Sequence, residues 1–343
     1  MSQNSKFDVE SHYFSGQGVV TIGVMDPATK RAKYYVPAGN VTDLKVNIST
    51  SVIDHKGSQD GQRAIDKRVQ TETKATATMT IENWNRTNIS KALRGDGVRI
   101  PGATVTDGAL VLYRDGVVPV EHLSLSAVTL KQGATSLVAF VDDATAYDYK
   151  VNLDAGSFRL NDGSKVGFSG MGTAATAVTV GATTQITVTN TAAVGDEVYL
   201  QGFTGADASV LNNKWHTVTA ASGTSITVGT VTTGKTITAT GSPKVVFNGT
   251  SLLVTYTYAD QYRVDALTQP LTDISIRFEG LNTAEENSPV VVELFKFAAD
   301  PLKELSLISD TIGQFQLEGA LLYDASRSTG SKFFSMKKLT GNT

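Results

Sequence analysis

"KRVQTETKATATMTIEN", Lys67 to Asn83, decides how the rest of the chain is read. Val69, Thr71, Thr73, Ala75, Ala77, Met79 and Ile81 fall on one parity. Arg68, Gln70, Glu72, Lys74, Thr76, Thr78, Thr80 and Glu82 fall on the other. Successive side chains of a strand point to opposite faces, so the spacing predicts one strand with a small-to-apolar face and a polar face. It is far longer than the usual strand of about 5–6 residues. Upstream, "VTDLKVNISTSVI" (41–53) alternates too, with Leu44, Val46, Ile48 and Val52 set against Asp43, Lys45, Asn47, Ser49 and Ser51. The polar, glycine-containing "DHKGSQDGQRAID" (54–66) joins the two runs, which predicts an extended β-hairpin.

Short strands are expected before it, over Val19–Met25 and Tyr34–Pro37. After it, "NWNRTNISKALRG" (83–95) reads as a short helix. Asn85 or Thr87 can cap its start, Ile89, Ala92 and Leu93 form its apolar stripe, and Gly95 ends it. A second hairpin comes late: "TDISIRFEG" (272–280) alternates Ile274, Ile276 and Phe278 against Asp273, Ser275, Arg277 and Glu279, "LNTAEENS" turns, and Val290–Phe297 returns. Beyond Asp300-Pro301, "LKELSLIS" (302–309) and "GQFQLEGALL" (313–322) are expected to add two strands, the latter with Phe315, Leu317 and Leu321 inward. "SKFFSMKKL" (331–339) is expected as the last strand.

The middle of the chain differs in character. Residues 170–246 hold 19 threonines but only three acids (Asp196, Glu197, Asp207) and three lysines (Lys214, Lys235, Lys244). Runs such as "TQITVTN", "GDEVYLQGF", "NKWHTVTA" and "TSITVG" between Gly/Ala/Ser turns predict a small antiparallel sandwich or barrel. Flanking pieces at 147–163 and 249–259 read as parts of a further β module. A low-charge block between strands suggests an insertion at a loop tip, where insertion costs least. The expected division is a core of 1–104 and 260–343, an inserted β module of 105–169 and 247–259, and a nested Thr-rich domain of 170–246.

Composition narrows the function. The chain of 343 residues is 41% hydrophobic with a formal net charge of −3, which argues against a general binder of nucleic acid or anionic membrane. Without cysteine, disulfides, zinc-thiolate sites and cysteine nucleophiles are excluded. No apolar run reaches the roughly 18–20 residues that span a bilayer, and "MSQNSKFDVESHYF" lacks the pattern of a signal peptide, so a soluble protein made in the cytosol is expected.

Catalytic patterns are poor. His12, His55, His122 and His216 are widely spaced. "GFSGM" (167–171) ends in Met171 where a nucleophile elbow needs glycine, and "GQGVVT" (16–21) lacks the third glycine of a dinucleotide fingerprint. Asp142/Asp143 and Glu285/Glu286 flank turns as solvated acids would. No enzyme activity, catalytic residue, metal or cofactor is expected.

A hairpin with free edges invites pairing with another chain. The first hairpin carries neither proline nor glycine within its strands. Copies that paired such edges until a ring closed would remove every edge and turn the polar parity toward an aqueous bore. The order of long hairpin, short helix, second long hairpin and "DPLKELSLI…GQFQLEG" (300–319) resembles a bacteriophage major tail tube protein, a fold shared with the type VI secretion tube. The resemblance covers about 1–104 and 260–343 and rests on element order. The segment from "VPVEHLSLSAV" (118–128) to "VTYTYA" (254–259) resembles a module common in phage tail and baseplate proteins, and the Thr-rich block resembles a small β domain of phage structural proteins.

This resemblance implies a mainly β fold, a tail-tube barrel or sandwich with two long hairpins, a short helix and inserted Ig-like or small-barrel modules. It implies hexameric rings stacked into a virion tail assembled in the host cytoplasm. Its partners would be further copies, the tape measure in the lumen, and the baseplate or tip and terminator. DNA would transit without specific binding. The hairpin tip would reach the next ring through Lys56, Gln59, Asp60, Arg63, Lys67 and Arg68, with an N-terminal arm near Ser2–Phe14 between neighbours. By parity, Asp43, Lys45, Glu72, Lys74, Glu82, Asp273, Arg277 and Glu279 would face the bore, about −2 per subunit and −12 per ring of six. Such a lining would repel phosphates, where a basic wall would hold them through counterion release. The inserted modules would project outward, which leans toward a non-contractile tail. The alternatives are a surface-exposed phage adhesin that offers Tyr199, Phe203, Trp215 and Phe247 to a glycan, and a single-ring terminator or baseplate component.

Overall fold

The computed structural model describes residues 13–26, 28–57, 61, 63–270 and 272–339. The fold is mainly β, with 52% of the described residues in strands and 3% in helix, and one sheet curls into a half-barrel. No helix among the described residues is long and apolar enough to cross a membrane. The chain divides into two compact units, residues 1–99 with 262–343, and residues 100–261.

The first unit is built on one eight-stranded sheet. Its strands are β1 (Gly16–Met25), β2 (Ala32–Pro37), β3 (Val41–Lys56), β4 (Ile65–Ile81), β5 (Asp273–Asn282), β6 (Ser288–Ala299), β7 (Phe315–Leu321) and β8 (Phe334–Lys338). They lie in the order β2-β1-β5-β6-β7-β4-β3, and β8 also pairs with β6. Both long hairpins thus sit in one sheet, bridged by β7, which faces Ala75–Ile81 of β4 and Phe297–Ala299 of β6. Gly319 makes that junction possible, because a Cβ there would lie 2.1 Å from the Ala298 carbonyl oxygen.

One face of this sheet carries the core. Ala75, Ala77, Met79 and Ile81 of β4 are buried with Ile274, Ile276, Phe297, Phe315, Leu317 and Leu321. The helix α1 (Arg86–Ala92) packs on them through Ala92 and Ile89. Asn85 caps it, its side chain accepting from the Asn88 N–H. Buried Asn88 ties it to the sheet by donating through Nδ2 to the carbonyls of Ala38 (2.7 Å) and Asn83 (2.9 Å).

The strand expected over 302–309 does not form, and that segment crosses from β6 to β7 as a loop. Leu302 and Leu305 are the residues that meet the core. Their spacing of three is one a strand cannot turn to a single face.

The second unit holds a four-stranded sheet (Ala103–Leu112, Thr250–Tyr258, Leu125–Gln132, Thr135–Ser136), a three-stranded sheet (Tyr149–Asn152, Ser157–Leu160, Val118–Pro119) and a seven-stranded sheet drawn from residues 173–247. One hydrophobic cluster spans Leu110 to Tyr256 and takes in Tyr199 and Val246, and a second lies within 175–247. The threonines of that stretch bond one another. Buried Thr184 shares its hydroxyl with Thr232 (2.9 Å) and the Thr230 carbonyl (2.7 Å), and Thr204 bridges Thr238 and Thr240.

Candidate assembly surface

The long hairpin divides into two halves. Strands β3 and β4 pair from Val41↔Ile81 out to Lys56↔Ile65, whereas β7 pairs with β4 only up to Ala75. From Lys74 to Ile65, β4 therefore has β3 as its only strand neighbour among the described residues. Burial changes at the same place: β4 alternates buried and accessible over 75–81 and is exposed at every position over 65–74. The distal half is a two-stranded ribbon about 33 Å long, at ~3.3 Å per residue. It leaves Val52 (43% exposed), Ile53 (62%), Ile65 (54%) and Val69 (46%) uncovered.

The parity read from the sequence does not run unbroken along this ribbon. A register shift at Ser51/Val52 sets Ser51 opposite Glu72 and Val52 opposite Gln70, and a second shift sits at His55/Lys56. An extra residue on one strand turns everything beyond it to the opposite face. Val69, paired with Ile53, thus shares the face of Glu72 and Lys74, and Arg68, paired with Asp54, shares the face of Ala75. The expectation of a single apolar parity from Val69 to Ile81 is corrected: it holds from Thr73 onward.

The strand residues expected to line the bore, Asp43, Lys45, Glu72, Lys74, Asp273, Arg277 and Glu279, do share one side of the sheet. Asp43 lies opposite Thr80, Lys45 opposite Thr78, and Ser49 and Ser51 opposite Lys74 and Glu72. Thr76 and Thr78 continue across β7 as Ala320 and Glu318, then through Ala298 of β6 to Asp273 of β5. Arg277 and Glu279 follow Asp273 on the same side by alternation. Glu82 lies just past the end of β4 and accepts from Asn40 Nδ2 at 2.5 Å.

These charges are mostly paired within the chain. Lys45 meets Asp43 at 2.5 Å, Lys74 meets Glu72 at 3.2 Å, Arg277 meets Glu279 at 2.6 Å, and Lys296 meets Asp273 at 3.1 Å. The hydrogen bond to Glu279 raises the Arg277 pKa further. The sequence reading missed Lys296, Glu293 and Glu318 on this face. Glu293 faces Arg277 and binds Arg327 and the Tyr35 hydroxyl, and Glu318 pairs with Lys303. Burial chiefly raises the Tyr35 pKa. Lys337 of β8, opposite Val291 and so level with Glu279, lies on this face too. With Lys303 and Arg327 the additions come to two acids and four bases, which takes the balance from −2 to 0 per chain. Glu293 and Lys296 have opposite parity, so alternation cannot put both on one face. The register does it, because β6 places two residues, Phe295 and Lys296, opposite Ser275 alone.

At the tip, Arg68 holds Asp54 through two bonds of 2.6 and 2.9 Å. That bond lowers the Asp54 pKa. His55 Nδ1 meets Asp66 at 2.6 Å. Lys67 stands opposite His55, Lys56 opposite Ile65, and Arg63 takes a left-handed φ of 46°. Gln59, Asp60 and residues 2–12 of the expected arm lie outside the described residues.

Sequence features set aside above have structural duties. Within "GFSGM", Phe168 and Met171 are core, and the Gly170 and Met171 amides donate to buried Asp148 at 3.0 Å. Of the four aromatics a glycan platform would need, Tyr199 and Phe203 are buried. Trp215 donates to the Asp162 carbonyl at 2.6 Å, and Phe247 packs on the inner cluster.

A mainly β chain with a curled sheet and a projecting ribbon is the class that these observations define. The sequence matches the family described as protein of unknown function UCP028589 over residues 13–170 and 168–337, and the chain belongs to that family. Comparison with curated proteins returns no match.

Proposed function

We propose that this chain is the structural subunit of a phage tail tube, in which copies associate side by side into hexameric rings that stack around a DNA-conducting bore. The observation that carries the reading is the distal ribbon: ten residues of β4 with one strand partner among the described residues, free edges, and exposed Val52 and Ile65 on the face away from Glu72 and Lys74. An isolated two-stranded ribbon is marginal in water. Neighbouring copies that share its backbone hydrogen bonds would complete it. The six-fold number, the virion tail location and the tape-measure, tip and terminator partners come from the resemblance to tail tube proteins.

In this reading the face of Asp43, Lys45, Glu72, Lys74, Glu82, Asp273, Arg277 and Glu279 lines the bore, and Lys56, Arg63, Lys67 and Arg68 approach the next ring. A lining of charges already paired offers phosphates no free row of cations, so DNA slides past rather than binding. Negative-stain electron microscopy of the purified protein tests the proposal. Stacked rings or tubes support it, single rings favour a terminator or baseplate role, and isolated particles at every concentration overturn it.

A further inference from the structure

Two features at one end of the first unit's sheet fit each other and find no use within the chain. One is the segment from Leu302 to Gln314 between β6 and β7. Its ends are fixed: the Leu302 amide donates to the Ala92 carbonyl, and Trp84 Nε1 donates to the Gly313 carbonyl, both at 2.9 Å. Ser309 and Thr311 brace it internally, hydroxyl to hydroxyl at 3.0 Å. This braced loop nevertheless displays Leu307 at 77% and Ile308 at 95% exposure, flanked by Glu304 and Asp310. Apolar side chains clustered on an ordered loop mark an interaction site more often than chance exposure does.

The other feature is a groove beside α1, formed by adjoining hollows of about 440 and 380 Å³ that share Lys91 and Ile274. The larger half has an apolar floor of Ile22, Val24 and Val36, rimmed by Lys30, Lys91 and Lys296 against Asp26 and Asp273. The smaller half is basic, with Arg86, Lys91 and Arg94 against a single acid, Asp96. Arg94 holds a left-handed φ of 49°, and its Nε is buried without a hydrogen-bond partner. A buried donor left unmatched costs about 1–3 kcal/mol. The groove therefore suits a segment that is apolar and acidic at once.

We infer that the groove receives the Glu304–Gly313 loop of a second copy. The loop matches it in both respects, with Leu307 and Ile308 for the apolar half and Glu304 and Asp310 for the basic half. The placement also fits. The groove lies where β5 begins and β1 ends, the loop leaves the end of β6, and the register puts Asp273 opposite Ala298 at that same end. Groove and loop lie at the same end of the sheet, the groove over β1, β5 and the end of β6 (Lys296, Ala299) and the loop between β6 and β7, so copies set side by side bring one to the level of the other. Such a contact joins two different surfaces, and it propagates until a ring closes. The loop's fixed ends lower the ordering cost of docking. The inference deepens the tube reading by naming the lateral contact, and it rests on that reading only for the ring's closure.

The absence of native cysteine makes the test direct. An Ile308→Cys chain is mixed with a Val24→Cys chain and treated with a short bis-maleimide cross-linker, and the wild-type protein is imaged in parallel. A covalent pair of one chain of each kind is expected. Ile308→Asp in a chain that carries the loop cysteine at Leu307→Cys should lower its yield at least about tenfold, the loss expected for one unburied isoleucine. Rings or tubes without cross-linking overturn this contact and leave the tube reading standing. Cross-linking without rings or tubes supports the contact and overturns the tube. Neither result refutes both, and a dominant Ile308→Cys homodimer overturns the contact in favour of a two-fold one.

Discussion

The near and far halves of the long hairpin share the same two strands, yet only the near half is enclosed by its own chain. From Ala75 to Ile81, β4 has strands on both sides and a helix over its apolar face. From Ile65 to Lys74 it has one strand neighbour among the described residues, and exposed side chains on both faces. Strand pairing and alternation are therefore not what divides the halves. Burial divides them. The near half holds its shape by packing, whereas the far half has backbone pairing and a few surface ion pairs, which are worth little singly. Substitutions placed across the boundary at Lys74/Ala75 should separate fold stability from assembly.

The largest effect is expected at Met79, fully buried in the near half. Met79→Ala should lower the unfolding free energy by about 2–5 kcal/mol, read from the denaturant midpoint, since it removes buried contacts and leaves a cavity. A loss below about 1 kcal/mol would mean that the enclosed half is not the stabilising half. Next comes Asn88→Ala. It takes away both hydrogen bonds between α1 and the Ala38 and Asn83 carbonyls, and about 1–3 kcal/mol should be lost. The two losses should be less than additive, because both residues hold α1 to the same sheet.

Across the boundary the expectation reverses. Val52→Ser with Ile65→Ser, exposed on the face away from the charged one, should leave the monomer's unfolding midpoint within about 0.5 kcal/mol of wild type, as exposed substitutions do. In the tube reading the same pair abolishes or shortens assemblies in electron micrographs. A large stability loss in the monomer would show that the ribbon is packed by its own chain, and the contrast between the halves would vanish.

Much of this contrast could be read from the sequence, and the part that could not has a definable cause. Alternation located both long hairpins, and the Asn85 cap and the Ile89/Ala92 stripe located the helix. Alternation counts residues, however, and a bulge adds one without any signal in the alternation. The register shifts at Ser51/Val52 and opposite Ser275 are where parity failed, putting Val69 on the polar face and bringing Glu293 and Lys296 together. The strand expected over 302–309 failed for another reason. "LKELSLIS" is apolar enough for a strand, but its leucines at 302 and 305 answer to a curved core surface rather than to a pleat. The charge balance of the polar face suffered most, since it required knowing which lysines fold back onto it.

The smallest effect concerns the tip, where Arg68 grips Asp54. The Arg68 hydrogen bond holds the Asp54 carboxyl below the ordinary carboxylate range. A depressed folded-state pKa means that the native chain binds this proton less readily than the unfolded chain does. The contribution to stability is thus present above the ordinary value, about pH 4, and is lost as the pH falls through the lower folded value. Both groups stand in solvent, so the effect on the monomer should be slight and further screened by salt. An NMR titration of the Asp54 carboxyl should show the depressed value, and Arg68→Gln should return it to the ordinary range with no resolvable change in unfolding midpoint. If Arg68→Gln instead left the Asp54 titration unchanged, the pair would be open in solution, and the tip would present Arg68 as a free cation to whatever lies beyond it.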